Sequence, residues 1–108
     1  MTTAKSFVVR TPMGNKTLTL RRRLILRIVV QRYYVSEMPA RWLRADELAP
    51  WETQAVGELE DMGLVFVDQS MEPAVVSPTD AGKALWRRVV QHDPAVARQI
   101  GAPSRAET

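Results

Sequence analysis

The most regular hydrophobic pattern in the chain runs from about residue 20 to residue 35. Apolar side chains recur there at the three- and four-residue spacing of an amphipathic helix. They are Leu24, Ile25, Ile28, Val29, Val30 and Tyr33. Arg23, Arg27 and Gln31 are four residues apart and form the only clear polar face. A helix this apolar is expected in the middle of the domain or at a dimer contact, and we favour the middle.

The residues before this helix allow two structures. Residues 6–10 ("SFVVR") and 17–20 ("TLTL") are typical of strands, and the proline, glycine and asparagine between them favour a turn, which together predict a hairpin. In the second interpretation, Thr17 or Thr19 caps the long helix instead. The sequence alone supports both interpretations equally.

Two further helices are predicted downstream. Residues 40–48 ("ARWLRADEL") predict a short helix that buries Trp42, Leu43 and Leu48. Pro50 then begins another helix, because the first helical position needs no amide hydrogen. Gly63 is expected to end that helix in a left-handed conformation. The predicted buried face of the helix consists of Trp51, Ala55, Leu59 and Met62.

A second hairpin and a last helix complete the pattern. "LVFVD" and "AVVS" are rich in β-branched residues and predict two strands joined by "QSMEP". The following "PTDAGKALWRRVVQ" has a capping threonine and predicts a helix. Its expected buried side chains are Ala81, Leu85 and Val89, with Trp86 beside them. Asp93 and Pro94 are expected to start one more helical turn that Gly101 ends, and the final "APSRAET" is predicted to be disordered.

This order of elements resembles the winged-helix domain over residues 20–92. "LEDMGLV" (residues 59–65) looks like the end of a winged-helix third helix, where glycine stops the helix and an apolar pair enters the wing. "VVSPTDAGKALW" (residues 75–86) is similar to the second wing strand and following helix of MarR-like and PadR-like regulators. The resemblance implies an α+β fold with a three-helix core, a two-stranded β wing and a C-terminal helix. An N-terminal arm or extra β-hairpin (1–19) would precede it, and a short helix with a flexible tail (93–108) would follow.

Charge is distributed unevenly along the 108 residues, although the net charge is only +3. Residues 1–48 hold ten basic and three acidic side chains, residues 49–82 hold seven acidic and no basic ones, and residues 83–108 hold five basic and two acidic ones. The predicted third helix and wing therefore contain no cation. DNA affinity depends largely on cations that displace counterions from phosphates, so this distribution is unusual for a DNA-reading surface.

The first functional hypothesis is a small DNA-binding protein, a transcriptional regulator, which the resemblance implies. In that family the third helix enters the major groove. Thr53 and Gln54 would read base edges, and Gly57 would allow close backbone approach. The expected phosphate ligands are Arg41 and Arg44 on the short helix, with Arg21, Arg22 and Arg23 at the start of the long helix.

The second hypothesis is an interaction adaptor or inhibitor whose acidic face binds a basic protein partner or mimics nucleic acid. That face would consist of Glu52, Glu58, Glu60, Asp61, Asp68 and Glu72. Segments of opposite charge would also support association of two copies, so a homodimer is compatible with the sequence. A third interpretation gives the arginines no partner outside the chain and leaves them solvated or paired with Asp46, Glu47, Glu52 and Glu58.

Little in the sequence points to catalysis. The chain has no cysteine, which excludes thiolate chemistry. It has a single histidine, His92, and therefore no metal-ligand pattern. We therefore expect no enzyme activity, metal or cofactor. No apolar run approaches the roughly 20 residues that span a bilayer, and no signal peptide is visible, so no membrane association and a cytoplasmic location are expected.

Overall fold

Two antiparallel strands, β1 (Phe7–Thr11) and β2 (Gly14–Leu18), open the part of the chain that the computed structural model describes, residues 7–96. Phe7 pairs with Leu18 and Thr11 with Gly14, which adopts a positive φ of 97° where the second strand begins. Thr19, directly after β2, accepts a hydrogen bond from the Arg22 amide at 3.3 Å and caps the next helix. The hairpin and the threonine cap therefore both exist. The predicted bounds of the second strand, residues 17–20, are wrong, because Thr19 caps the helix that begins at Leu20 and the strand lies at Gly14–Leu18.

Helix α1 (Leu20–Val35) has the predicted bounds and lies in the middle of the domain. Its fully buried apolar residues are Ile25, Leu26, Val29 and Val30. They pack against residues that precede α1 and residues that follow it in the sequence, including those of the later helices and strands. The predicted polar face is wrong at Arg23, whose exposed fraction is only 1%.

The predicted helix over residues 40–48 is also wrong. The segment forms single 3-10 turns at Pro39–Arg41 and Ala45–Glu47, separated by the two-residue strand β3 (Leu43–Arg44). Leu43 and Arg44 pair with Val76 and Val75 much further along the chain, and this pairing keeps their backbone extended. Leu43 is buried as predicted.

Helix α2 (Pro50–Asp61) begins at Pro50 and is followed by Gly63 with a φ of 77°, as predicted. The Ala49 amide donates to Glu52 Oε1 at 2.7 Å, which satisfies a free amide at the start of the helix. Strands β4 (Val65–Asp68) and β5 (Val75–Pro78) form the predicted hairpin. With β3 they make a three-stranded antiparallel sheet in the order β3-β5-β4.

Helix α3 (Asp80–Arg88) is attached to the end of α2 by the predicted capping threonine. Thr79 Oγ1 accepts from the Gly82 amide at 3.0 Å and donates to the Gly63 carbonyl at 2.7 Å. A Cβ atom on Gly82 would lie 2.0 Å from the Leu64 carbonyl oxygen, so only glycine fits there. The threonine and glycine of this motif therefore fix the close packing of α3 on the residues that follow α2.

A 3-10 turn (Val90–His92) follows α3, and residues 94–96 are helical after Asp93, whose Oδ1 accepts from the Ala95 amide at 2.9 Å. The predicted stop at Gly101 and the predicted disordered end lie outside the described residues. Within residues 7–96, no helix has the length and apolar character needed to cross a bilayer. The described chain is thus an α+β domain of helices and small antiparallel sheets.

Candidate nucleic-acid interface

Helix α2 buries one side and presents a ridge on the other. Ala55 and Leu59 face the core, and the 3.6-residue period of the helix places a different set of side chains opposite them. That set is Thr53, Gln54, Gly57, Glu60 and Asp61, of which all but the half-buried Gly57 are exposed. A Cβ atom on Gly57 would meet no atom within 4 Å. Internal packing therefore does not require glycine at this position, although glycine inside a helix costs about 0.5–1 kcal/mol relative to alanine.

Cations reach this helix from the start of α1. The Arg21 guanidinium lies 5.4 Å from the centre of the Trp51 ring, a cation–π contact. Arg22 Nε lies 3.0 Å from Glu58 Oε1. These side chains and Gln54 line a groove of about 410 Å³ between the two helices. Helix α1 thus places two cations beside α2, which itself contains no lysine or arginine.

The prediction that Trp51 is a core residue is wrong, because 36% of its surface is exposed. It occupies the second position of α2, next to Pro50, at the end of the apolar stripe. A residue in the first turn has no preceding turn of helix to cover it, and this position is the only signal in the sequence that could have indicated exposure. Trp51 therefore joins the surface beside Arg21 instead of the core.

Several acids of residues 49–82 bind groups within the chain. Glu52 accepts the Ala49 amide described above, and Glu60 Oε2 accepts from the Val67 amide of β4 at 3.4 Å. Asp68 accepts from both the amide and the hydroxyl of Ser70. Within the described residues, Glu58 is the one acid of the seven that pairs with an arginine. The acids thus have different roles, and most are not neutralised internally.

Hydrogen bonds lower the pKa of two of these carboxyls. The bond from Arg22 is the main cause of the lowered pKa of Glu58, and the bond from Gln54 adds to it. The hydroxyl of Ser70 is the main cause of the lowered pKa of Asp68. Both groups therefore remain ionised near neutral pH, and the acidic character of this region is preserved there.

Arg23 does not belong to this surface. Its guanidinium forms a buried ion pair with Asp93, donates to the Leu18 carbonyl at 2.6 Å and lies 4.5 Å from the centre of the Phe7 ring. The side chains of Arg23 and Asp93 are 1% and 6% exposed. A side chain enclosed in this way cannot reach a phosphate, so the expected role of Arg23 in DNA binding is wrong.

Arg41 and Arg44 lie elsewhere as well. Arg44 lies in β3, and its Nε is 3.1 Å from Oδ1 of Asp46 in the 3-10 turn that follows. Arg41 is exposed beside Val35 at the C-terminal end of α1. From Arg22 to the end of that helix is about 20 Å at 1.5 Å per residue. The structure therefore brings Arg21 and Arg22 to α2, and it places Arg41 at the other end of α1.

The third interpretation, in which the arginines pair with acids of the same chain, is correct for some of them. Arg32 Nη1 lies 2.7 Å from Glu47 Oε1, and Arg44 and Arg22 are paired as described. The pKa of Glu47 is lowered although burial, the largest single contribution, opposes this, because the hydrogen bonds and charges of Arg32 and Arg44 together outweigh it. Glu52 caps α2 and does not pair with arginine within the described residues.

No protein-family model matches the chain, and no curated protein or solved structure matches it either. Function must therefore be inferred from the residues and their geometry.

Proposed function

We propose that the chain is a small winged-helix protein that binds duplex DNA through the exposed ridge of α2, in the manner of a transcriptional regulator. The order of α1, α2, the β4–β5 hairpin and α3 supports this fold, since the resemblance implies the same order. The second helix of the implied three-helix core is reduced to the single turn Ala45–Glu47, and β3 adds a strand to the wing.

The observation that carries the proposal is the position of two cations beside a ridge of polar side chains. Arg21 and Arg22 provide the phosphate contacts that α2 lacks, and such contacts fix the register of a protein on DNA. Gln54 and Thr53 supply base-reading groups, because a glutamine amide can bind adenine through two hydrogen bonds. Gly57 leaves room for the DNA at the centre of the ridge.

Binding to mixed-sequence duplex DNA across a salt series tests the proposal. Replacing Arg21 or Arg22 with alanine should weaken binding to all sequences and reduce the slope of log affinity against log salt by about 0.9 for each phosphate that is no longer neutralised. Replacing Gln54 with alanine should instead alter the preference among sequences, by about 1–3 kcal/mol at the base it reads. Fluorescence anisotropy with labelled duplexes measures both effects.

Arg41→Ala is the matched control, because it also removes one arginine, and Arg41 lies beside the opposite end of α1. Its slope should equal that of the unmodified protein. A reduced slope for Arg41→Ala together with an unchanged slope for Arg22→Ala would show that the DNA contacts another face. Absence of binding at the lowest salt concentration would reject DNA binding altogether.

A second candidate function is docking of a basic protein on the acidic end of α2 and the wing. Asp61 and Glu72 are exposed, the 65–74 segment contains no cation, and 55% of Phe66 is exposed. An exposed apolar residue in a segment without cations is compatible with a partner that combines lysines or arginines with an apolar group.

Charge reversal at Asp61 and Glu72 tests this candidate. Calorimetric titration with a lysine-rich peptide should show binding that Asp61→Lys with Glu72→Lys abolishes. Glu37→Lys is the control, since Glu37 is exposed outside this surface. Glu52 and Glu58 are less suitable for reversal because each has a partner within the chain. Equal binding by all variants would exclude the acidic end as the docking surface.

A further inference from the structure

One carboxylate, that of Glu58, binds two of the side chains assigned to DNA. Its Oε1 accepts from Arg22 Nε at 3.0 Å, and its Oε2 accepts from Gln54 Nε2 at 3.0 Å. Glu58 and Gln54 are four residues apart on α2, the spacing at which helical side chains meet. The three side chains therefore form a single hydrogen-bonded group on the surface between α1 and α2.

This arrangement occupies donors that DNA would need. Arg22 also donates through Nη1 to the Thr17 carbonyl at 2.5 Å, so its guanidinium is held on two sides by the chain itself. A guanidinium can only donate hydrogen bonds, and an ionised carboxylate and a phosphate both accept them. A phosphate approaching Arg22 must therefore compete with Glu58 for the same cation.

We propose that Glu58 is an internal competitor for the DNA phosphate, and that duplex binding exchanges the Arg22–Glu58 pair for an Arg22–phosphate pair. This inference rests on the proposed function. The side chains of Arg22 and Glu58 are 23% and 34% exposed, and ion pairs this open to solvent are weak enough to exchange. Glu58 thereby lowers affinity for DNA in general and leaves Arg22 available only to a phosphate in a suitable position.

The variant Glu58→Gln tests the proposal in the full-length chain, by the same anisotropy titration. Its affinity for mixed duplex should exceed that of the unmodified protein. Its salt slope should be steeper by up to about 0.9, because no freed carboxylate then takes up a cation that offsets the one displaced from the phosphate. The gain in affinity should consequently shrink by roughly 3-fold between 50 and 200 mM salt. Glu58→Ala, which removes both acceptor oxygens, should give the same direction of change.

Two comparisons separate competition from a general effect of charge. Asp61→Asn removes one negative charge from the same helix, and Asp61 has no hydrogen bond or ion pair to Arg22 or Gln54. Asp61→Asn should raise affinity for DNA less than Glu58→Gln does, and it should leave the slope of log affinity against log salt unchanged. In an Arg22→Ala background, Glu58→Gln should produce no gain beyond that of Asp61→Asn, because the contested cation is absent.

The outcomes distinguish this inference from the function on which it rests. If the unmodified protein binds DNA and Glu58→Gln behaves like Asp61→Asn, or if its gain persists without Arg22, competition by Glu58 is rejected and DNA binding stands. If every variant fails to bind at the lowest salt concentration while thermal unfolding shows each to be folded, the proposed function is rejected. Binding by the unmodified protein, together with a gain for Glu58→Gln that depends on Arg22, supports both.

Discussion

Two neighbouring arginines of α1 lie in opposite environments. Arg22 faces the surface of α2 and pairs with the half-exposed Glu58, whereas Arg23 points into the domain and pairs with the buried Asp93. Two helical glycines differ in the same way. Gly57 has open space where a Cβ atom would lie, and Gly82 has the Leu64 carbonyl there. Similar residues thus serve the surface of α2 in one region and internal packing in the other.

Burial determines what each pair contributes. An exposed ion pair adds about 0.2–1 kcal/mol to stability, because water and salt screen it and two flexible side chains must be ordered. A buried pair is different, since removal of one partner leaves an uncompensated charge away from water. The Arg23–Asp93 pair is therefore expected to be required for the fold, and the Arg22–Glu58 pair is expected to contribute little to it.

The largest predicted effect follows from breaking the buried pair. Asp93→Ala should lower the free energy of unfolding by about 3–5 kcal/mol, because it leaves the Arg23 guanidinium buried without its carboxylate. Glu58→Ala is the control and should lower it by at most about 1 kcal/mol. Urea unfolding followed by circular dichroism measures both. Equal decreases for the two variants would contradict the assignment of different roles.

The two glycines predict smaller effects of opposite sign. Gly82→Ala should destabilise the domain by about 1–3 kcal/mol, since its new methyl group would overlap the Leu64 carbonyl and force the backbone to shift. Gly57→Ala should stabilise it by about 0.5–1 kcal/mol through the helix propensity of alanine. The same urea experiment measures both changes.

DNA titration adds a second measurement for Gly57→Ala. If DNA approaches the ridge at this point, the variant should bind more weakly although it is more stable. Retained affinity would show that the ridge has room for a side chain, and that Gly57 is not a point of close approach.

Local patterns predicted the parts of the fold that depend on neighbouring residues. The bounds of α1, the start of α2 at Pro50 and the stop at Gly63 agree with the structure to within a residue, because periodicity, proline and glycine act within a few positions. Thr79 was identified for the same reason, as its hydroxyl caps a helix that begins at the next residue. Capping and helix periodicity are local physical effects.

Long-range pairing explains the wrong predictions. Residues 43–44 have a helical pattern, but pairing with β5 more than 30 positions later makes them a strand. Arg23 follows the polar period of α1, and nothing near it in sequence indicates Asp93, its partner 70 residues away. For the candidate site, the pattern identified Thr53 and Gln54 on the exposed side of α2. As phosphate ligands it favoured Arg41 and Arg44 and also named Arg21 to Arg23. That Arg21 and Arg22 lie beside α2 has no local signal, because the packing of α1 on α2 is tertiary.

The contacts of Arg23 also define how much of the chain is needed for a stable domain. Its guanidinium joins the end of the first hairpin, through the Leu18 carbonyl, to Asp93 beyond the last long helix. A chain shortened to residues 20–92, the span suggested by the winged-helix resemblance, would lack both the Leu18 carbonyl and the Asp93 carboxylate. The minimal folding unit therefore extends past both of those limits, and truncation at either one removes a ligand from a charge at its centre.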